Sequence, residues 1–245
     1  MIDNATPPLA DDLAFRAAEG AADGPRPLVL VLPGGGYAGH ADHEGPVIAH
    51  WLAGLGLNSL TLRYPVAPAR HPAALLRAQE VVASARSGAL DLGDSVDRSR
   101  VGAIGFSAGG HLAAQLSTTA VESSRVDLAM LAYPVVSMVH EPHSGSLENL
   151  LGPASPLPLR RELSQELRVD GSTPPTFLWH TTQDDSVPVS HSLRYASALA
   201  AHHVPFELHV FEAGAHGRGL ARGEGPLDQW AELCAVWLRQ RGWVA

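Results

Sequence analysis

The segment Gly105-Phe106-Ser107-Ala108-Gly109-Gly110 joins the run VGAI to the helical pattern HLAAQL. A G-x-S-x-G set between strand and helix turns so sharply that the serine side chain is held outward, and its small neighbours keep β-carbons out of the bend. A serine hydroxyl at its free pKa is a weak nucleophile, so attack on a carbonyl needs a base within hydrogen-bond reach and an acid to orient that base. His216, flanked by Gly214 and Gly217 in FEAGAHGRGL, follows the last long apolar run and can serve as the base. Asp184 and Asp185, adjacent in TTQDDSVP after the run TFLWH, compete for the role of the acid. Pro33-Gly34-Gly35-Gly36-Tyr37 follows LVLVL, and its glycines leave backbone N–H groups able to point at a ligand. The N–H groups of Gly35, Gly36 and Ala108 are therefore expected to bind the oxygen that turns negative when Ser107 attacks. An incidental serine in a glycine-rich turn is the plainer account of the first motif, and the strand before it and helix after it weigh against that account. The rival account of the glycine run is a phosphate loop, but neither G-x-G-x-x-G nor G-x-x-x-x-G-K-[ST] fits.

Residues so far apart in the chain meet only if regular elements bring them together. Short β-branched or leucine-rich runs bounded by Gly and Pro alternate with longer alanine-rich amphipathic stretches, the pattern of a doubly wound α/β fold: a mostly parallel sheet with helices on both faces. Strands are predicted near Pro27–Leu32, Leu57–Leu62, Val101–Gly105, Leu128–Tyr133, Thr176–His180 and Phe206–Phe211. Helices are predicted near Pro46–Gly54, Pro72–Ser87, Gly109–Ser117, Ser190–His202 and Gly225–Arg239. The stretch 136–175, rich in Pro, Ser, Gly and His, shows one short helical piece near Leu159–Leu167 and reads as a loop-rich insertion beside the site. It is too short for a large cap domain. Residues 1–245 thus form one expected domain, with the first 25 or so partly frayed.

A formal charge of −8, with 17 Lys and Arg scattered rather than clustered, repels polyphosphate backbones and excludes nucleic acid as a partner. No apolar stretch approaches the ~18 residues of a membrane span, and the start MIDNATPPLADDLAF lacks the basic and apolar parts of a secretory signal. A soluble, cytoplasmic protein is expected. Cys234 is the single cysteine, which rules out an internal disulfide and a cysteine-rich zinc site; its apolar helical surroundings mark it as core. Among the other histidines, His40, His43 and His50 read as entrance or cap residues, and His202 and His203 as solvent-facing. His40-x-x-His43 could grip a metal only with further ligands the sequence does not supply. No metal and no cofactor are expected. Tyr37 and Phe106 are expected to contact substrate, against the ordinary alternative that aromatic residues near a motif are packing.

With PGGGY, GFSAGGHLAA, HTTQDDSVPVSHS and FEAGAHGRGLA in this order, and GSLENLLG and PPTFLWH between them, the chain resembles small capless bacterial esterases of the α/β-hydrolase superfamily, described as acetyl-esterase or acetylxylan-esterase-like. The resemblance runs from about Leu28 to Trp237. It places nucleophile, acid and base on Ser107, Asp184 and His216 and the oxyanion loop on Gly35 and Gly36, the D-x-x-V-P spacing favouring Asp184 over Asp185. It also implies the substrate: short acyl groups, typically acetyl, on small alcohols or on sugar and oligosaccharide hydroxyls. An amidase, arylformamidase or small peptidase using the same triad is the alternative. One departure is the order Arg77 then Glu80 where such proteins often carry an acidic and then a basic residue. A cytoplasmic enzyme would meet imported oligosaccharides rather than polymeric xylan.

Overall fold

A computed structural model of the chain describes residues 9–20, 24–119 and 121–245. Seven strands form one sheet: β1 (Leu13–Arg16), β2 (Arg26–Leu32), β3 (Asn58–Leu62), β4 (Val96–Phe106), β5 (Ala129–Ala132), β6 (Thr176–Thr181) and β7 (Phe206–Phe211). Their spatial order is β1-β3-β2-β4-β5-β6-β7, parallel throughout except for β1, which runs antiparallel to β3 with Leu13 opposite Leu62. The described part of the chain is therefore the α/β-hydrolase fold, with no large cap.

Alternation along β2 shows how the sheet builds a core on each face. Leu28, Leu30 and Leu32 pack on one side with α2 (Ala73–Ser87), α3 (Ala108–Thr119) and α6 (Ser190–Ala201), whereas Val29 and Val31 pack on the other with α1 (Pro46–Gly54) and α7 (Trp230–Gln240). A strand buried on both faces reads as a continuous apolar run, as LVLVL does. Pro46 opens α1, where its missing N–H costs nothing. No helix among the described residues is long and apolar enough to cross a membrane.

Two stretches hold regular elements that the sequence patterns do not show. Within the N-terminal stretch β1 closes the sheet edge, and beside it Asp12 takes a bidentate pair from Arg77 at 2.7 and 2.9 Å, while Arg77 also reaches Glu80 at 2.9 Å. The reversed Arg77/Glu80 order thus fastens α2 to the edge strand. Residues 1–8 and 21–23, part of the stretch expected to be partly frayed, lie outside the described residues. The stretch 136–175 also holds more structure than its composition suggests, with α4 (Ser144–Leu151) and α5 (Leu157–Glu162). Polar, glycine-containing SGSLENLL was hidden because its apolar contact with the core is confined to Leu147, Leu150 and, in part, Leu151.

Chain direction reverses at β2. From β2 the path goes outward to β3 and then returns across to β4, so the loops leaving the adjacent strands β2 and β4 diverge at their carboxyl ends. Such a switch point leaves a crevice.

Candidate active site

Ser107 stands just past β4, and its backbone occupies the left-handed region at φ 51°. Its N–H donates to Ala132 O at 3.0 Å and its carbonyl accepts from Val135 N–H at 3.0 Å, so the strained residue hangs on the end of β5. The bend closes only because two neighbours lack side chains: a β-carbon on Gly105 would collide with Gly109 O, and one on Gly109 with Leu32 O.

His216 lies in the loop beyond β7, with Nε2 2.8 Å from Ser107 Oγ and Nδ1 2.6 Å from Asp184 Oδ2. Asp184 follows β6 and its carboxylate is fully enclosed. Oδ1 accepts the N–H groups of Ser186 (3.0 Å) and Val187 (2.8 Å), and His180 Nε2 lies 3.2 Å from Oδ2. Burial alone would raise the Asp184 pKa; hydrogen bonds from His180, His216 and the Val187 N–H outweigh it and hold the carboxyl well below the usual range. An ionised Asp184 accepts the Nδ1 proton of His216, which leaves Nε2 with a lone pair facing the Ser107 hydroxyl. Asp185 is exposed, and among the described residues its one hydrogen bond is from Ser186 Oγ, at 3.2 Å.

Across from the serine, Gly35 and Gly36 turn the loop after β2 with φ of 134° and 63°, conformations open to glycine. Among the described residues the N–H groups of Gly35, Gly36 and Ala108 donate to no protein acceptor, so they remain available to a ligand. The Gly34 N–H is already used, donating to Glu44 Oε2 at 2.7 Å. Glu44 is 1% exposed, and its Oε1 accepts the Tyr133 hydroxyl proton at 2.5 Å; that hydroxyl accepts the Gly219 N–H at 2.9 Å. One carboxylate thereby joins the glycine loop to the loop of His216, whose ring also sits edge-on against Tyr133 with centroids 5.0 Å apart. His43 Nε2, 2.8 Å from Gly217 O, is a second tie to that loop.

The structure brings Ser107, Asp184, His216, Gly35, Gly36 and Ala108 together at the sheet's carboxyl edge. It does not bring Tyr37 and Phe106 to the site surface. Tyr37 is 1% exposed with its hydroxyl 2.8 Å from His111 Nδ1, and Phe106 is fully buried between Tyr133 and Trp230. Sequence reasoning missed Glu44, Tyr133 and His180. Glu44 and Tyr133 carry no local pattern, since they find each other across the chain; His180 has its partners nearby, in Asp184, Val187 and Ser192, and the buried strand end TFLWHT is the signal that could have drawn attention to it.

The profile of the prolyl oligopeptidase family matches residues 80–240. An acetyl ester-xyloside bifunctional hydrolase from Caldicellulosiruptor lactoaceticus superposes with a TM-score of 0.89 at 38% identity, over 95% of this chain and 89% of that one. Endo-1,4-beta-xylanase B of Butyrivibrio fibrisolvens is 33% identical over 81% of this chain, and the acetylxylan esterase of Xylanibacter ruminicola 27% identical over 86%. The chain spans 33% of the length of the first of these and 45% of the second.

Proposed function

Because the chain belongs to the prolyl oligopeptidase family of α/β hydrolases, we propose that it is a serine esterase that removes short acyl groups, acetyl foremost, from sugar or oligosaccharide hydroxyls. The observation that carries the reading is the unbroken hydrogen-bond line from Ser107 through His216 to Asp184, facing unspent N–H groups on Gly35, Gly36 and Ala108. Relatives described as acetylxylan esterase and acetyl ester-xyloside hydrolase support the acyl group and the sugar.

In this mechanism Ser107 Oγ attacks the ester carbonyl while His216 Nε2 takes its proton. The new oxyanion is held by the N–H groups of Gly35, Gly36 and Ala108, already in place before the reaction. His216 then hands its proton to the departing alcohol oxygen, and a water activated by the same nitrogen releases the acid from Ser107. Asp184 stabilises the imidazolium in both steps without taking its proton.

The test is initial rates on p-nitrophenyl acetate, butyrate and octanoate by wild type and Ser107→Ala, with acetate release from acetylated xylo-oligosaccharides. The expected result is activity falling steeply from acetate to octanoate, acetate freed from the sugars, and a loss of ~10⁴–10⁶ on substitution. Turnover that survives Ser107→Ala overturns the mechanism. Turnover of anilide or formamide substrates in preference to esters moves the protein to the amide-cleaving class.

A further inference from the structure

Resting on the esterase reading, we propose that His143 touches the substrate: its Nε2–H donates a hydrogen bond to a hydroxyl oxygen on the alcohol half of the ester.

His143 is the N-cap of α4, and its ring is fixed by its own helix. Ser146 N–H points at Nδ1 at 3.2 Å and Ser146 Oγ lies 2.8 Å from the same atom. A backbone N–H can only donate, so Nδ1 carries the lone pair and the neutral ring must bear its proton on Nε2. Among the described residues Nε2–H has no protein acceptor.

Its position is beside the oxyanion loop, where a β-carbon built on Gly36 would lie 3.8 Å from His143 Cε1, the atom adjoining Nε2. Burial, then the charge of His216, lowers the His143 pKa against a smaller opposing pull from Asp184; the two charge effects place the ring near the catalytic pair, and the net lowering keeps it a neutral donor. Since the alcohol oxygen leaves by taking a proton from His216, the alcohol half occupies that side of the crevice. The mounting is stiff: Asn149, two turns further along the same element, donates from Nδ2 to Gly36 O at 2.9 Å. The sequence HSGSLENLL thus holds a donor at residue 143, its orienting partner at residue 146 and a bolt to the oxyanion loop at residue 149.

An acetylated alcohol bearing a neighbouring free hydroxyl, as in a partly acetylated sugar, offers the acceptor this donor lacks. A site that hydrogen-bonds a substrate hydroxyl rejects the analogue without it.

The experiment compares a monoacetylated methyl xyloside with its deoxy analogue lacking the adjacent hydroxyl, and p-nitrophenyl acetate, in wild type and His143→Asn. Asparagine preserves an acceptor for the Ser146 N–H but is too short to present a donor to the crevice. Wild type is expected to favour the hydroxylated ester about fivefold to tenfold in kcat/KM, from the worth of one hydrogen bond. In His143→Asn that preference should vanish through a raised KM, with activity on p-nitrophenyl acetate and Tm little changed. Wild type that ignores the hydroxyl, or a variant that keeps the preference or loses all three substrates equally, overturns the proposal. Failure of wild type on p-nitrophenyl acetate as well overturns the esterase reading beneath it. Because the deoxy comparison needs only wild type, a variant that does not fold leaves the proposal testable.

Discussion

Asp184 has four polar partners, His216, His180 and the N–H groups of Ser186 and Val187. A buried carboxylate so surrounded is held in one rotamer, and it in turn holds one tautomer of His216. Asp184→Asn should lower kcat by ~10⁴ through the wrong tautomer, whereas Asp185→Asn should change it by less than about twofold; steady-state rates on p-nitrophenyl acetate decide between them. Glu44 belongs to the same scale. Glu44→Ala would leave the Gly34 N–H and the Tyr133 hydroxyl buried without their acceptor, an expected cost of ~2–5 kcal/mol by urea denaturation, with kcat falling as the glycine loop loosens. Ser107 and His216 could be read from the sequence because glycines beside each advertise an unusual backbone, and Asp184 because its N–H contacts fall two and three residues on. Glu44 could not. Its contacts lie 10 and 89 residues away, and nothing beside it in the chain differs from a solvated loop.

Elements were legible where a run of apolar or β-branched residues is bounded by turn residues. β7 and α1 have the bounds their patterns predict, and the central strands differ mainly at their ends, β4 starting five residues early, where Val96 and Asp97 pair with Arg26 and Pro27 before the register shifts and resumes at Val101. β1 and α4 escaped notice because each is short and presents little apolar surface; pairing with β3 makes the one, and capping by His143 with docking on the glycine loop makes the other. At this scale the sharpest constraint is the approach of α3 to β2. Gly109→Ala would drive a methyl group into the Leu32 carbonyl, backbone against backbone, so neither side can yield cheaply. The expected outcome is a loss of more than ~3 kcal/mol in denaturant unfolding, or a folded protein with Ser107 displaced and activity gone.

For the whole molecule, buried histidines make the interior sensitive to acid. His111 is fully buried between Tyr37 and Leu163, and desolvation pushes its pKa down to about 4 from an ordinary 6.5. The unfolded chain therefore takes up this proton first, so the stability held by neutral His111 is complete above pH 6.5 and is lost as pH falls toward 4. That single group is worth ~3 kcal/mol across the window, and His191, lowered also by burial, adds in the same direction. Thermal melts from pH 7.5 to 4 should show Tm falling, and a His111→Gln variant, if folded, should show a shallower fall. Asp184 acts lower on the scale: with its folded pKa depressed, its contribution persists below 3.8 and disappears as pH falls further. A different consequence follows from Cys234, the only thiol, fully enclosed in α7 among Phe177, Trp230 and Trp237. The same helix carries Trp230, whose Nε1 donates to Gly219 O at 3.1 Å and so anchors the loop of His216. A disulfide reagent can reach that sulfur only while α7 is detached, which makes the chemical labelling rate a clock for transient opening of this face. Labelled molecules will not close again over an added group of that size, so modification and irreversible inactivation should advance with one time constant, reporting how often the base loses its anchor under native conditions.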